Sequence, residues 1–300
     1  DNGLEFNFTR NEEAMKTQLE AIEPGSYKKY QQYINEGYTF FNLAMKDLLI
    51  KNYYNLFQFV NFKSLLLLLK LKSWKKHTSY IRRFFKDEHL QMAFTFQNIY
   101  VGQNPFKSPA FFAMLPGAEI KEGALFPKGG MHSIVQKLLE TGTNLGVKYH
   151  YEKPVKKIIT NGTKAVGILL EDETIINADL VIANVDLPFV YNKLLVDKKK
   201  TKRLNNKKYA CSAIVFHWGL DKVFPQLEHH SVFLSDPYEN GLNRIFKDKL
   251  LSDNPSFYIH APVRSDASAA PKNHDTLSII VPVAHIDKNY SQDWNRLNQL

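Results

Sequence analysis

The sequence holds a single cysteine, Cys211, which excludes an internal disulfide framework and any zinc site built on cysteine. No two glycines stand two positions apart, so the GxGxxG dinucleotide fingerprint is absent. A phosphate loop of the GxxxxGKS type, an HExxH pair and a GxSxG elbow are absent too. His229 and His230 are adjacent, and neighbours on a strand point to opposite faces, so no metal site is expected from them. No uninterrupted run reaches the roughly 20 apolar residues that a membrane-crossing helix needs. The chain opens at Asp1 without a methionine or signal peptide, and it stops within Trp294–Leu300, which reads as a helix in progress. Both ends are therefore expected to be cuts in a longer protein.

What is present suits an ordinary globular protein. With 300 residues, 44% of them hydrophobic, the chain can bury a substantial core and form one large domain or two smaller ones. The formal net charge is +9, but the basic residues are dispersed. Their clearest cluster is Lys198–Arg203, followed by Lys207-Lys208. A solvated loop, an anionic membrane surface and nucleic acid all remain open as readings of that cluster.

Along the chain, Pro24-Gly25 marks a turn, and Tyr27, Tyr30, Tyr33, Ile34 and Tyr38 then recur at helical spacing. Residues 56–76 contain five consecutive leucines, Leu65 to Leu69, interrupted on either side by Lys63 and Lys70 and followed by Trp74. Leucine flanked by lysine and one tryptophan suits a helix lying in a membrane interface, with Leu66, Leu68, Leu69, Lys70 and Trp74 in contact; a buried core helix is the alternative. Asp87–Leu90 opens another helix whose apolar positions include Leu90, Ala93, Phe94 and Phe96. Residues 126–186 predict a turn at Pro127–Gly130, a helix with Ile134, Val135, Leu138 and Leu139 on one buried face, and a strand over Val147–Tyr151. A hairpin is expected around Asn161-Gly162, with strands Val155–Thr160 and Ala165–Leu170. Ala178–Asp186 reads as a buried parallel strand ending in polar residues, where α/β sheets bind ligands. Tyr209–Gly219, Phe257–Pro262 and Leu277–His285 predict a second, antiparallel sheet. Cys211 is expected to be an inert, buried thiol.

Several segments together, in order and spacing, closely resemble the bacterial and fungal phytoene desaturases, carotenoid-pathway members of the amine-oxidase-like flavoprotein superfamily. They are Asp87–Leu90, Ala93–Gln97, Val101–Phe106, Phe126–Gly130, Ala178–Asp186, Leu227–Ser231 and Tyr258–Pro262. The fungal branch looks nearest. The resemblance covers nearly the whole chain, and it implies that an N-terminal GxGxxG strand and a C-terminal flavin segment lie outside it. The implied fold is α/β: an incomplete, FAD-binding Rossmann-like lobe with an inserted mixed α+β substrate lobe. Residues 1–125 would form a helical, membrane-facing part of the substrate lobe, 126–190 part of the FAD lobe, and 191–300 the antiparallel sheet.

The implied reaction is FAD-dependent desaturation of phytoene and partly desaturated carotenoids. Hydride leaves a C–C single bond for the flavin, and the protein supplies a long apolar tunnel and a base. The resemblance places FAD near Gly129, Gly130, Val155, Ala183, Asn184 and Asp186. Phe94, Phe96, Tyr100, Phe106, Phe111 and Phe112 are available for a tunnel, with core packing as the alternative for each. Glu88 is the first candidate base, with Asp87 and His89 beside it. An apolar substrate implies a peripheral enzyme on the cytoplasmic side of a membrane, with no nucleic-acid partner. A carotenoid isomerase, a retinol-saturase-like flavoprotein and a non-catalytic membrane-surface or nucleic-acid-binding protein are the competing readings.

Overall fold

The computed structural model describes residues 3–285; the expected helix at Trp294–Leu300 lies outside the described residues. The chain divides into two compact units, the second formed by Ile134–Tyr209 and the first by the residues on either side of it.

The first unit begins with helices. Asn11 caps helix Glu12–Ile22 by accepting from the Ala14 amide at 3.0 Å. Helix Ser26–Ala44 follows, and its buried positions Tyr30, Tyr33, Ile34, Gly37, Phe40 and Ala44 recur at spacings of three and four. This is the tyrosine stripe read from the sequence, and it forms the core. Tyr33 is fully enclosed, with the rings of Phe84, Phe85 and Phe94 set edge-on around it. Helix Met114–Glu122 crosses this helix with no side chain between the two at one point. A Cβ on Gly37 would overlap the Ala113 carbonyl, and a Cβ on Gly117 would overlap the backbone at Tyr38.

The leucine-rich stretch is two short helices, Leu56–Phe59 and Phe62–Lys70, rather than one. Asn55 and Asn61 each cap a new start, accepting from the Gln58 and Ser64 amides, so the chain bends between them. The stretch is not a buried core helix: Phe57, Phe62 and Leu65 are 86%, 74% and 54% exposed. It is tied down at its end, where the Lys72 ammonium lies 2.6 Å from Glu36 and over the Tyr80 ring.

The sheet of the first unit has strands β4 (Ser212–Leu220), β5 (His230–Phe233), β6 (Phe257–His260) and β7 (Asp275–Val283), all antiparallel, in the order β4-β7-β6-β5. Strands β1 (Val155–Asn161), β2 (Lys164–Leu170) and β3 (Ile175–Asn177) belong to the second unit. On one face Leu277, Ile279, Ile259 and Phe257 pack with Ala261 and Leu227. Below this face Arg264 holds the buried Asp275 carboxylate at 2.8 Å and donates to the Phe224 and Leu227 carbonyls. The other face carries His217, Ser278, Tyr258, His260 and His230, because paired residues of antiparallel strands share a face.

The second unit contains most of helix His132–Asn144 and the antiparallel meander β1 (Val155–Asn161), β2 (Lys164–Leu170) and β3 (Ile175–Asn177). The hairpin forms as expected, shifted by one residue. Asn161 stays in the ladder opposite Lys164, and Gly162 takes the left-handed conformation at φ +60°. Ile158, Val190 and Leu194 form the small core, with Val155, Ile168 and Val181 against it.

Three expectations fail here. Val147–Tyr151 forms no strand, since no strand among the described residues runs beside it. Ala178–Asp186 is neither a strand nor buried. Its last ladder contact is the Ala178 amide to Val166, after which Leu180 and Ile182 stand 73% and 83% exposed. A parallel strand needs neighbours to bond its backbone and layers to cover both faces, and among the described residues it has neither. For the same reason Ile134, Val135 and Leu138 on helix His132–Asn144 are exposed rather than buried.

Candidate functional site

The acidic motif at 87–89 builds a helix start. Asp87 accepts from the Leu90 amide at 3.0 Å and so caps helix Glu88–Ala93, while its own amide and that of Lys86 donate to Glu23. His89 lies 3.5 Å from the Asp87 carboxylate. Glu88 is exposed in the first turn, and its side chain makes no hydrogen bond or ion pair among the described residues. Of the three, Glu88 alone keeps a carboxylate unengaged.

The six aromatic residues divide between clusters. Phe94 is fully buried and stacked on Phe85, with ring centroids 5.1 Å apart, and Phe111 packs on the same helical core. Phe96 and Phe106 belong to a second cluster around Tyr238 and Leu242. Phe112 stacks on Phe111. Tyr100 meets Phe96 edge-on and is 57% exposed.

Gly129 and Gly130 both have left-handed backbone, closing the turn through the Gly130 amide to the Pro127 carbonyl. The Gly129 amide donates to Asp266 Oδ2 at 2.7 Å. Val155 opens β1 and is half-buried. Ala183, Asn184 and Asp186 are exposed in the extended segment, and the Asp186 side chain caps nothing. Gly129 and Gly130 fall in one unit, the other four in the second. Of the leucine-stretch residues, Leu66, Leu69 and Trp74 are 41%, 48% and 61% exposed; Lys70 is exposed and Leu68 half-buried.

Sequence reasoning missed a polar cluster on the first unit. His230 lies across the β5–β6 ladder from His260, with the rings stacked at 19°. His230 Nδ1 is 2.7 Å from the Tyr258 hydroxyl. His229 precedes β5 and is free of its alternation, so its ring turns to the same place, 4.4 Å from that of His230. The expectation of opposite faces thus fails, because only His230 belongs to the strand. His229 and His260 are hydrogen-bonded through Nε2 atoms 3.0 Å apart, one donating and the other accepting, and His229 Nδ1 meets Ser265 at 2.6 Å. Burial lowers the pKa of all three imidazoles, that of His230 to about 4, so they are neutral near pH 7. Burial also raises the Tyr258 phenol to about 12 and pushes up the Glu119 carboxyl and the Tyr100 phenol. The three neutral imidazoles and the Tyr258 phenol can pass a proton along but do not hold charge at neutral pH. The signal in the sequence is the alternation Tyr258, His260 on one strand, which shows a shared face only once its partner strand is known. Among the described residues no group of three or more His, Cys, Asp or Glu is arranged to hold a metal ion.

Comparison with known proteins adds what the geometry cannot supply. The chain is 34% identical to a phytoene desaturase of Neurospora crassa over 98% of its length and 52% of that protein's. It is 36% identical to a zeta-carotene-forming phytoene desaturase of Myxococcus xanthus over 97% of its length and 56% of the relative's. It is 35% identical to a phytoene desaturase of Cercospora nicotianae, covering 97% of this chain and 48% of that one. The chain therefore spans about half the length of these curated relatives. Among solved structures, an oxidoreductase from Methanosarcina mazei superposes with a TM-score of 0.55 at 19% identity, over 81% of this chain and 56% of that one, a likeness of fold. Residues 7–264 match the family described as flavin containing amine oxidoreductase, and the chain belongs to that family.

Proposed function

We propose that the whole protein is an FAD-dependent phytoene desaturase of carotenoid biosynthesis, an oxidoreductase acting on CH–CH bonds. The observation that carries this reading is identity of 34–36% to phytoene desaturases across 97–98% of the chain, within a flavin family.

The residues present fit FAD in part. Ala183, Asn184 and Asp186 offer exposed backbone and a carboxylate with no cap to serve, suited to ribose hydroxyls. Gly130 has no atom within 4 Å of the place a Cβ would occupy, which leaves room for a bulky ligand. The Gly129 amide is engaged by Asp266, so it is not a free donor for phosphate. Exposed apolar residues on helix His132–Asn144 and on Ala178–Asp186 support an incomplete dinucleotide-binding lobe that the rest of the protein completes. Bound FAD would accept the hydride. This chain's own part would be to hold the polyene among aromatic side chains such as Phe96, Phe106 and Phe112, and to take up the accompanying proton. Asp87 is committed to its helix cap, which leaves Glu88 as the free carboxylate of its motif for that proton.

Phytoene is a hydrocarbon, and the exposed apolar stretch from Leu49 to Trp74 supports delivery from a bilayer surface. No helix among the described residues is long and apolar enough to cross a membrane. The attachment in this reading is peripheral, on the cytoplasmic side. The test is to supply the full-length protein with FAD and phytoene in liposomes. The expected result is a yellow holoprotein and products of longer conjugation that have lost hydrogen. Products with unchanged hydrogen content and altered double-bond geometry would instead make it an isomerase. Full turnover by Glu88→Gln would remove Glu88 as the base.

A further inference from the structure

We infer that the cavity at the foot of the exposed leucine stretch binds the phosphate headgroup of an anionic phospholipid. This rests on the membrane reading above and gives it a specific site. The cavity, about 240 Å³, is lined by residues of 43–53 and of 58–70, among them Lys51, Lys63 and Lys70. One carboxylate, Asp47, answers them, 2.8 Å from Lys51 and 3.6 Å from Lys63. Lys70 has no acidic partner among the described residues, so the cavity holds two more positive charges than negative ones.

The surroundings select the source of the phosphate. The cavity lining includes Leu66, which is 41% exposed, and the same stretch of chain exposes Tyr54, Phe57, Phe62, Leu65 and Leu69 at 48–86%. A phosphate free in water gains nothing from these apolar side chains. A phospholipid uses both parts, since the apolar side chains enter the acyl boundary while the ammonium groups meet the headgroup layer. Lysine stems suit this position, because they lie along apolar surface and keep the charge at the polar level. Lys72, fixed by Glu36 and Tyr80, ties the end of the stretch to the helical core and so presents it on a firm base.

The experiment is flotation of the full-length protein with neutral phosphatidylcholine vesicles and with vesicles containing roughly one third phosphatidylglycerol. Each lysine near an anionic surface is expected to give about a fivefold gain in partitioning. The triple variant Lys51→Gln, Lys63→Gln, Lys70→Gln should therefore lose on the order of 100-fold in binding to anionic vesicles and keep its binding to neutral ones. Asp47→Asn, which removes the competing carboxylate, should bind anionic vesicles more tightly. As a control, Lys198→Gln, Lys199→Gln, Lys200→Gln removes the same charge from an exposed helix elsewhere and should change binding far less. An equal loss in that control would mean diffuse attraction and overturn the site. So would unchanged anionic binding by the first triple variant together with no gain from Asp47→Asn, or release of the protein from vesicles by millimolar inorganic phosphate. Wild-type protein that floats equally with both vesicle types would defeat the headgroup site and leave membrane attachment standing. Wild-type protein that floats with neither would defeat both.

Discussion

At the scale of single residues, two buried titratable groups make opposite demands on pH. His77 is fully buried and hydrogen-bonded on both ring nitrogens, at 2.8 Å to the Tyr33 hydroxyl and 2.9 Å to the Asn98 side chain. Tyr33 donates its proton to the Phe94 carbonyl, so it accepts from His77 Nε2–H. The neutral ring then has only an acceptor at Nδ1, which is satisfied when the Asn98 amide turns its NH2 group towards it. Burial holds His77 at about 4, below its ordinary 6.5. A depressed histidine favours the native state above its unfolded pKa and loses that contribution as pH falls towards the folded one. Between pH 6.5 and 4 the wild-type protein should lose about 3 kcal/mol of stability from this group. His77→Gln, which does not titrate, should flatten that slope in denaturant melts taken across the window. Glu119 has the reverse sign. Burial raises its carboxyl above the ordinary 4.5, so ionising it costs the native state stability as pH rises through the folded value. Glu119→Gln is expected to raise Tm at pH 7.5 and to change it little at pH 4. None of this was legible in the sequence. The stripe that buries Tyr33 could be read, but its partners at 77, 94 and 98 come from folding and not from spacing.

At the scale of elements, the helix crossing at Gly37 and Gly117 is the tightest constraint. The overlap there is with backbone, which cannot rotate away as a side chain would. Gly37→Ala should force the two helices apart and cost about 1–3 kcal/mol, read as a lower Tm. Gly219→Ala in β4 is the matching control, since a Cβ there meets nothing within 4 Å, and its Tm should not fall. Local patterns were readable wherever one element carried its own partner. The tyrosine helix, the helix opening at Asp87–Leu90, the hairpin around Asn161-Gly162 and three strands of the second sheet all follow from periodicity and turn chemistry. The failures share a cause. Val147–Tyr151 and Ala178–Asp186 have strand composition, but composition cannot say whether a neighbouring strand is present, and without one no ladder forms. His229 shows the same limit at a strand end, where one residue's difference in boundary decides which way a ring points.

At the scale of the whole molecule, the exposed apolar surface of the second unit carries the last prediction. Leu180, Ile182 and Val185 stand 73%, 83% and 52% exposed on Ala178–Asp186, and Leu138 and Val135 stand 66% and 48% exposed on helix His132–Asn144. Large apolar side chains exposed together along a segment of this kind mark an interface rather than a solvated face. The relatives are about twice the length of this chain, so polypeptide to cover it exists in proteins of this kind. In the full-length protein, amides of Ala178–Asp186 should exchange slowly with solvent, and FAD should slow them further. In the 300-residue chain alone the same amides should exchange as fast as an unstructured peptide, and FAD should bind weakly if at all. Hydrogen exchange of both forms, with and without FAD, separates the possibilities. Fast exchange in the full-length holoprotein would mean that this segment is a surface loop, and that Ala183, Asn184 and Asp186 take no part in holding the flavin. Protection in the isolated chain would mean that the segment finds its partner within these residues, and that the second unit is complete as it stands.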